Sequence, residues 1–114
     1  MNVLNVRVAT YPDVFTPKAR ECALALILDA IKSGKWATVI ASLRTTLAVD
    51  PAKYQDEKRN LPAFCISGTA ASRTQPLIRS GLIQIDLDKL NGTLDAVRAK
   101  LKADPHVAFG FVSP

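Results

Sequence analysis

The chain has 114 residues, of which 48% are apolar and 22% charged, enough for one folded domain with a modest core and too ordered in composition for a disordered segment. No stretch approaches the roughly 18 consecutive apolar residues of a membrane span, and Met1-Asn2-Val3-Leu4-Asn5-Val6-Arg7 lacks the basic leader and apolar run of a secretory signal. A formal charge of +5 fits a nucleic-acid or nucleotide partner, although the basic residues are dispersed rather than gathered in a tail.

In chain order, the β-branched run Val3–Val8 predicts a strand that breaks at Tyr11-Pro12-Asp13. Thr16-Pro17 predicts a helix start, with Thr as the capping residue and Pro in the first turn. Leu24, Ile27, Leu28 and Ile31 follow at helical spacing, and Gly34 supplies a stop. Trp36, Val39, Ile40, Leu43 and Leu47 form the apolar stripe of a second helix over about 36–47. Asp50-Pro51 opens a short third helix through Tyr54, followed by a polar end.

Leu61 to Ser67 predicts a strand, with Pro62 tolerable near its start, and Ser67-Gly68-Thr69 a turn or bulge. Residues 70–79 predict a loop, Gly81 to Asp86 a strand, and Asn91 the cap of a helix over about 92–102. Asp104-Pro105 ends that helix and Val107 to Val112 predicts a last strand. Strand, helix, strand over 81–112 predicts a right-handed βαβ crossover with two parallel strands. Because Phe111-Val112-Ser113-Pro114 closes the chain directly after a buried-looking strand, the expectation is a truncated piece of a larger domain; the alternative is an edge strand at a natural end.

The segment with chemical content is Ser80-Gly81-Leu82-Ile83-Gln84-Ile85-Asp86-Leu87-Asp88. Asp86 and Asp88 are two apart, so on a strand their side chains share a face. Two carboxylates so placed repel each other, and a divalent cation removes the repulsion. Hard oxygen ligands suit Mg²⁺ or Mn²⁺, the ions that stabilise attacking and leaving oxygens in phosphoryl transfer. The alternative is two solvated acids in a strand-to-helix loop, with Asp88 helping to cap the next element.

The order Ser-Gly-Leu-Ile-x-Ile-Asp-x-Asp resembles the first catalytic motif of archaeo-eukaryotic-type primase-polymerases, in the branch known as the VirE N-terminal domain. Leu43-Arg44, then Tyr54 and Lys58 before Leu61-Pro62-Ala63, then Phe64-Cys65-Ile66-Ser67-Gly68-Thr69, and finally Phe111-Val112-Ser113-Pro114 are similar to further pieces of that branch, in order. The resemblance spans roughly residues 44–114. It implies template-directed nucleotidyl transfer with two divalent ions, Asp86 and Asp88 as catalytic metal ligands, and nucleotides and a single-stranded nucleic-acid template as partners, with a helicase domain in the parent protein. It also implies a later basic motif and a third acidic residue beyond Pro114, so this stretch alone would be inactive.

Arg44 and Lys58 match positions that would contact phosphates; the plainer reading is a solvated helix face. Ser67-Gly68 and Ser80-Gly81 would let the backbone approach a phosphate, or are simple turns. Arg73 and Arg79 would add positive potential, or are solvated. His106, the only histidine, is poorly placed for a general base by its position after Asp104-Pro105, and Trp36, Phe64, Phe109 and Phe111 read as core rather than as a base-stacking platform. Cys22, in the helical pattern, and Cys65, in the strand pattern, have no metal-ligand spacing and read as buried thiols of a reducing compartment.

The expected fold is therefore α+β: N-terminal helices, then a mixed sheet with a C-terminal βαβ unit, all within one domain over 1–114. The expected function is the N-terminal part of a cytoplasmic DNA primase or primase-polymerase. Its rivals are a non-catalytic nucleic-acid-binding module and a protein-interaction domain.

Overall fold

The structure, a computed structural model, describes residues 2–112. It is an α+β arrangement of four helices and small antiparallel sheets. Among the described residues no helix is long and apolar enough to cross a membrane.

The chain opens with a single 3-10 turn, Val3–Asn5, because the Asn2 side chain accepts a hydrogen bond from the Leu4 amide and bends the first residues out of the expected strand. Strand β1 (Arg7–Tyr11) follows, starting later than the expected Val3 and ending at Tyr11, where the break was expected. It is central in the sheet order β2-β1-β3, and both neighbours are antiparallel to it.

Strand β2 (Arg20–Ala23) occupies part of the segment expected to be helical. Its residues have no strong β preference, yet they face β1 in the register Arg7↔Ala23 to Thr10↔Arg20. Pairing with β1 overrides local propensity here. Thr16-Pro17 consequently caps no helix: the Thr16 hydroxyl donates to the Asp13 carboxylate instead. Cys22 lies on β2 rather than on a helix, opposite Val8.

Helix α1 (Leu24–Lys32) buries Leu24 and Ile27 against Val8, which is the centre of the core. Val6, Cys22, Phe64, Leu82 and Phe109 pack around that cluster. Gly34 turns the chain with φ +79, a value that suits glycine. Helix α2 (Ala37–Val49) buries only Leu43 of its expected stripe, leaving Val39 and Leu47 exposed. Helix α3 (Pro51–Lys58) packs back on α2 and buries Tyr54. Its start is as the sequence predicts, with the Asp50 side chain accepting from the Lys53 amide and Pro51 in the first turn.

Strand β3 (Ala63–Cys65) lies on the other side of β1, with Ala9 facing Cys65 and Tyr11 facing Ala63. A turn at Ile66-Ser67 leads into β4 (Gly68–Thr69), which pairs with β5 (Ile78–Arg79) as a second, two-stranded sheet. Helix α4 (Leu94–Ala103) begins at Thr93, which makes no side-chain capping bond to the helix, rather than at Asn91. Asn91 instead has φ +48 within the turn before it.

The expected parallel βαβ unit is absent among the described residues. Neither 81–86 nor 107–112 is in a strand, and every pairing is antiparallel, so the sheet is not mixed. Among the described residues no backbone–backbone hydrogen bond reaches 82–89, so the β-rich run there has no ladder to make it a strand.

Candidate functional site

The approach to Asp86 and Asp88 is built by the β4–β5 hairpin. Gly68 faces Arg79 and Thr69 faces Ile78. A Cβ built on Gly68 would collide with the Ile78 carbonyl, so glycine is what lets the two strands close. The pairing continues one step beyond β5: the Ser80 amide donates to the Ser67 carbonyl at 2.8 Å. The Ser80 hydroxyl donates to the Ile66 carbonyl at 2.7 Å and accepts from the Leu82 amide at 3.1 Å. Gly81 then takes φ +88, a left-handed conformation that disfavours a side chain.

From this anchor the chain runs without helix, turn or bend from Leu82 to Leu90. Asp86 and Asp88 lie on that run with both side chains exposed. The Gln84 amide donates to the Asp86 carboxylate at 3.2 Å, which orients it. Lys89 and Asn91, both with positive φ, and Gly92 turn the chain into α4. Among the described residues no cluster of three or more His, Cys, Asp or Glu side chains surrounds a cation position.

The structure brings Ser67, Gly68, Arg79 and Ser80 together in one hairpin, immediately before the acidic run. Arg79 is exposed there. Arg44 is exposed on α2, and Lys58 ends α3 with its ammonium 5.5 Å from the centre of the Tyr54 ring. Those two helices pack on each other, with no extensive packing against the hairpin. His106 is exposed, its Nδ1 3.2 Å from an Asp104 carboxylate oxygen and its amide donating to the same oxygen.

Arg73 is exposed, as the plainer reading expected, but its guanidinium is engaged within the chain. Its guanidinium stacks over Tyr11, 3.9 Å from the ring centre, and donates to the carbonyls of Asp13 at 2.8 Å and Thr16 at 3.3 Å. Asp13 accepts from the Phe15 and Thr16 amides and from the Thr16 hydroxyl. Those bonds, the Thr16 hydroxyl foremost, hold its carboxyl below the usual carboxylate range. This junction pins the loop between β1 and β2 to the loop before β5. Asp13-x-x-Thr16 is a local turn signal that could have been read from sequence; its partner 60 residues away could not.

The aromatic residues expected to be core are only partly so. Trp36 and Phe64 are half-buried and Phe111 is exposed, its ring centre 6.1 Å from that of Phe64. They line an open apolar cleft of about 630 Å³ between the sheet, α1 and the start of α2, whose only charged lining residues among those described are Arg20 and Lys35. With no carboxylate in its lining, the cleft is not the acidic site. Cys22, which also lines it, and Cys65 are free thiols, and burial pushes the Cys22 thiol up from its ordinary value.

No curated protein and no solved structure matches the chain. A family model does: residues 56–114, which include β3, the hairpin, the acidic run and α4, match the family described as "BT4734-like, N-terminal domain". With half of its length matched, the chain belongs to the BT4734-like N-terminal domain family.

Proposed function

We propose that this chain forms the front of a nucleotidyl-transferase site of the primase-polymerase type, with Asp86 and Asp88 as the ligands of Mg²⁺ or Mn²⁺. The observation that carries the reading is the acidic run itself. Two exposed carboxylates two residues apart lie on an unbent stretch that starts at a fixed point, the doubly bonded Ser80 hydroxyl. The donor set suits the ion, because Mg²⁺ is commonly held by one or two carboxylates while water and substrate phosphates fill its other positions. When bound, such an ion neutralises phosphate charge and polarises the transferred phosphoryl group.

In this reading the residues of the chain have separate tasks. Ser80 and Gly81 fix where the acidic run begins. Gln84 holds one Asp86 oxygen in place. The hairpin residues Ser67, Gly68 and Arg79 form the side from which a nucleotide's phosphates approach, and Arg44 and Lys58 contact phosphates of the nucleotide or of a single-stranded template. The residues that complete the site, and a helicase domain, belong to the parent protein. A second reading rests on the exposure of Arg44, Arg79, Lys100 and Lys102: a non-catalytic module that holds nucleic acid by charge alone.

Calorimetric titration with a nucleoside triphosphate, in Mg²⁺ and in EDTA, separates the two. The metal-site reading expects binding that needs Mg²⁺ and is lost in Asp86→Asn/Asp88→Asn. Binding of a single-stranded oligonucleotide that is steeply salt-dependent and indifferent to Mg²⁺ and to that double substitution would favour the second reading.

A further inference from the structure

The apolar cleft between the sheet, α1 and the start of α2 has no task in the proposed transferase site. Its volume of about 630 Å³ falls within the range of small-molecule pockets, about 300–1,000 Å³. Its inner wall is core: Ile27 is buried there, with Cys22 and Phe64 packed beside it. Among the described residues no Asn, Gln, Ser, His, Asp or Glu lines it. Its charged residues, Arg20 and Lys35, are both exposed, and neither is in an ion pair among the described residues. Glu21, the acid next to Arg20, pairs with Arg7 at 3.8 Å instead, and as its neighbour on a strand points to the opposite face. Both cations lie away from the joint at which β2 runs into α1, Arg20 at the far end of β2 and Lys35 past the far end of α1. The cleft is therefore apolar inside and cationic towards its mouth.

We propose that the cleft binds a free acyl carboxylate, one apolar chain with a single anionic end. The lining selects this occupant in two ways. A nucleobase, a sugar or a peptide would bury hydrogen-bonding groups against walls that hold few partners for them, which costs affinity. An acyl chain has no such groups to bury. A carboxylate left at the mouth then meets two unpaired cations and no acid, whereas a cationic head would be repelled there. Lys35 is already held at the wall, its ammonium 5.4 Å from the centre of the Trp36 ring. Neither Asp86 nor Asp88 lines the cleft, so this site and the proposed metal site stand or fall separately.

Trp36 is the only tryptophan of the chain and lines the cleft, so its fluorescence reports occupancy. Dodecanoate, titrated below its micelle concentration in EDTA, should change that fluorescence saturably. Dodecyltrimethylammonium, of the same chain length and opposite charge, should bind at least about tenfold more weakly, and so should dodecanoate to Arg20→Gln/Lys35→Gln. That variant should keep the wild-type thermal melt, because both side chains are exposed. Dodecanoate should also slow maleimide labelling of Cys22 in a Cys65→Ser chain, but not of Cys65 in a Cys22→Ser chain, since Cys65 does not line the cleft. The two thiols thus separate occupancy of the cleft from detergent-like binding elsewhere. No saturable response, equal affinity for the two amphiphiles, full affinity in the double variant, or equal protection of both thiols would overturn the proposal. So would a Trp36 response to ATP or to anionic lipid vesicles with none to dodecanoate, which would give the cleft to a nucleotide or to a membrane surface.

Discussion

Arg73 sits over the Tyr11 ring, with its guanidinium carbon 3.9 Å from the ring centre, and from there reaches the carbonyl of Asp13. The contact ties the last residue of β1 and the loop after it to the segment that leads into the β4–β5 hairpin. The backbone reinforces it: the Ala19 amide donates to the Ala71 carbonyl, and the Arg73 amide to the Pro17 carbonyl. Arg73→Ala should therefore cost about 1–2 kcal/mol in urea unfolding, from one stacked cation and its carbonyl hydrogen bonds. Arg73→Lys should recover only part of it, because an ammonium cannot stack and reach both carbonyls at once.

Asp13 gives the same junction a pH dependence. Its carboxyl sits below its ordinary value near 3.8, held there by the Thr16 hydroxyl and by the Thr16 and Phe15 amides. A carboxyl that is more acidic when folded contributes stability above its unfolded pKa and loses it as the pH falls through the folded one. Wild-type stability should thus fall on acidification from the ordinary carboxylate range downward. Asp13→Ala should be less stable near neutrality and should show a shallower acid limb in thermal melts from about pH 5 down to about pH 2.

The glycines predict a graded series. Gly68→Ala drives a methyl into the Ile78 carbonyl and should cost about 1–3 kcal/mol, as overpacking does. Gly92→Ala meets no neighbouring atom but keeps φ +84, so its cost should be about 1 kcal/mol of backbone strain. Gly110→Ala has neither problem and should be close to neutral. Thermal denaturation of the three variants checks the order.

Leu43 is the one residue of α2 that is buried. Leu43→Ala should cost about 2–5 kcal/mol. Val49→Ala on the same helix, where the side chain is 82% exposed, should change unfolding by less than about 0.5 kcal/mol.

The parts of the fold that were legible in the sequence are those set by local chemistry. Asp50-Pro51 writes the start of α3 into four residues, and Gly34 marks the gap between α1 and α2. The α+β class comes from such signals. The illegible parts depend on partners distant in sequence. Arg20–Ala23 is a strand only because β1 has an edge to fill, and Leu82-Ile83-x-Ile85, a strand by composition, pairs with no strand among the described residues. The candidate site divides the same way. The Asp86–Asp88 spacing and the Ser80-Gly81 bend are local and readable. The hydrogen bonds that anchor Ser80 to Ile66 and Ser67, and the burial of Gly68 against Ile78, arise only when the hairpin forms.

The most direct test of the proposed metal site is Mn²⁺ titration of ¹⁵N-labelled chain, followed by paramagnetic broadening of its amide signals. A metal held by Asp86 and Asp88 predicts selective loss of the amides around residues 84–89 at low metal, abolished in Asp86→Asn/Asp88→Asn. Broadening spread evenly over the surface carboxylates, and the same in both proteins, would contradict it.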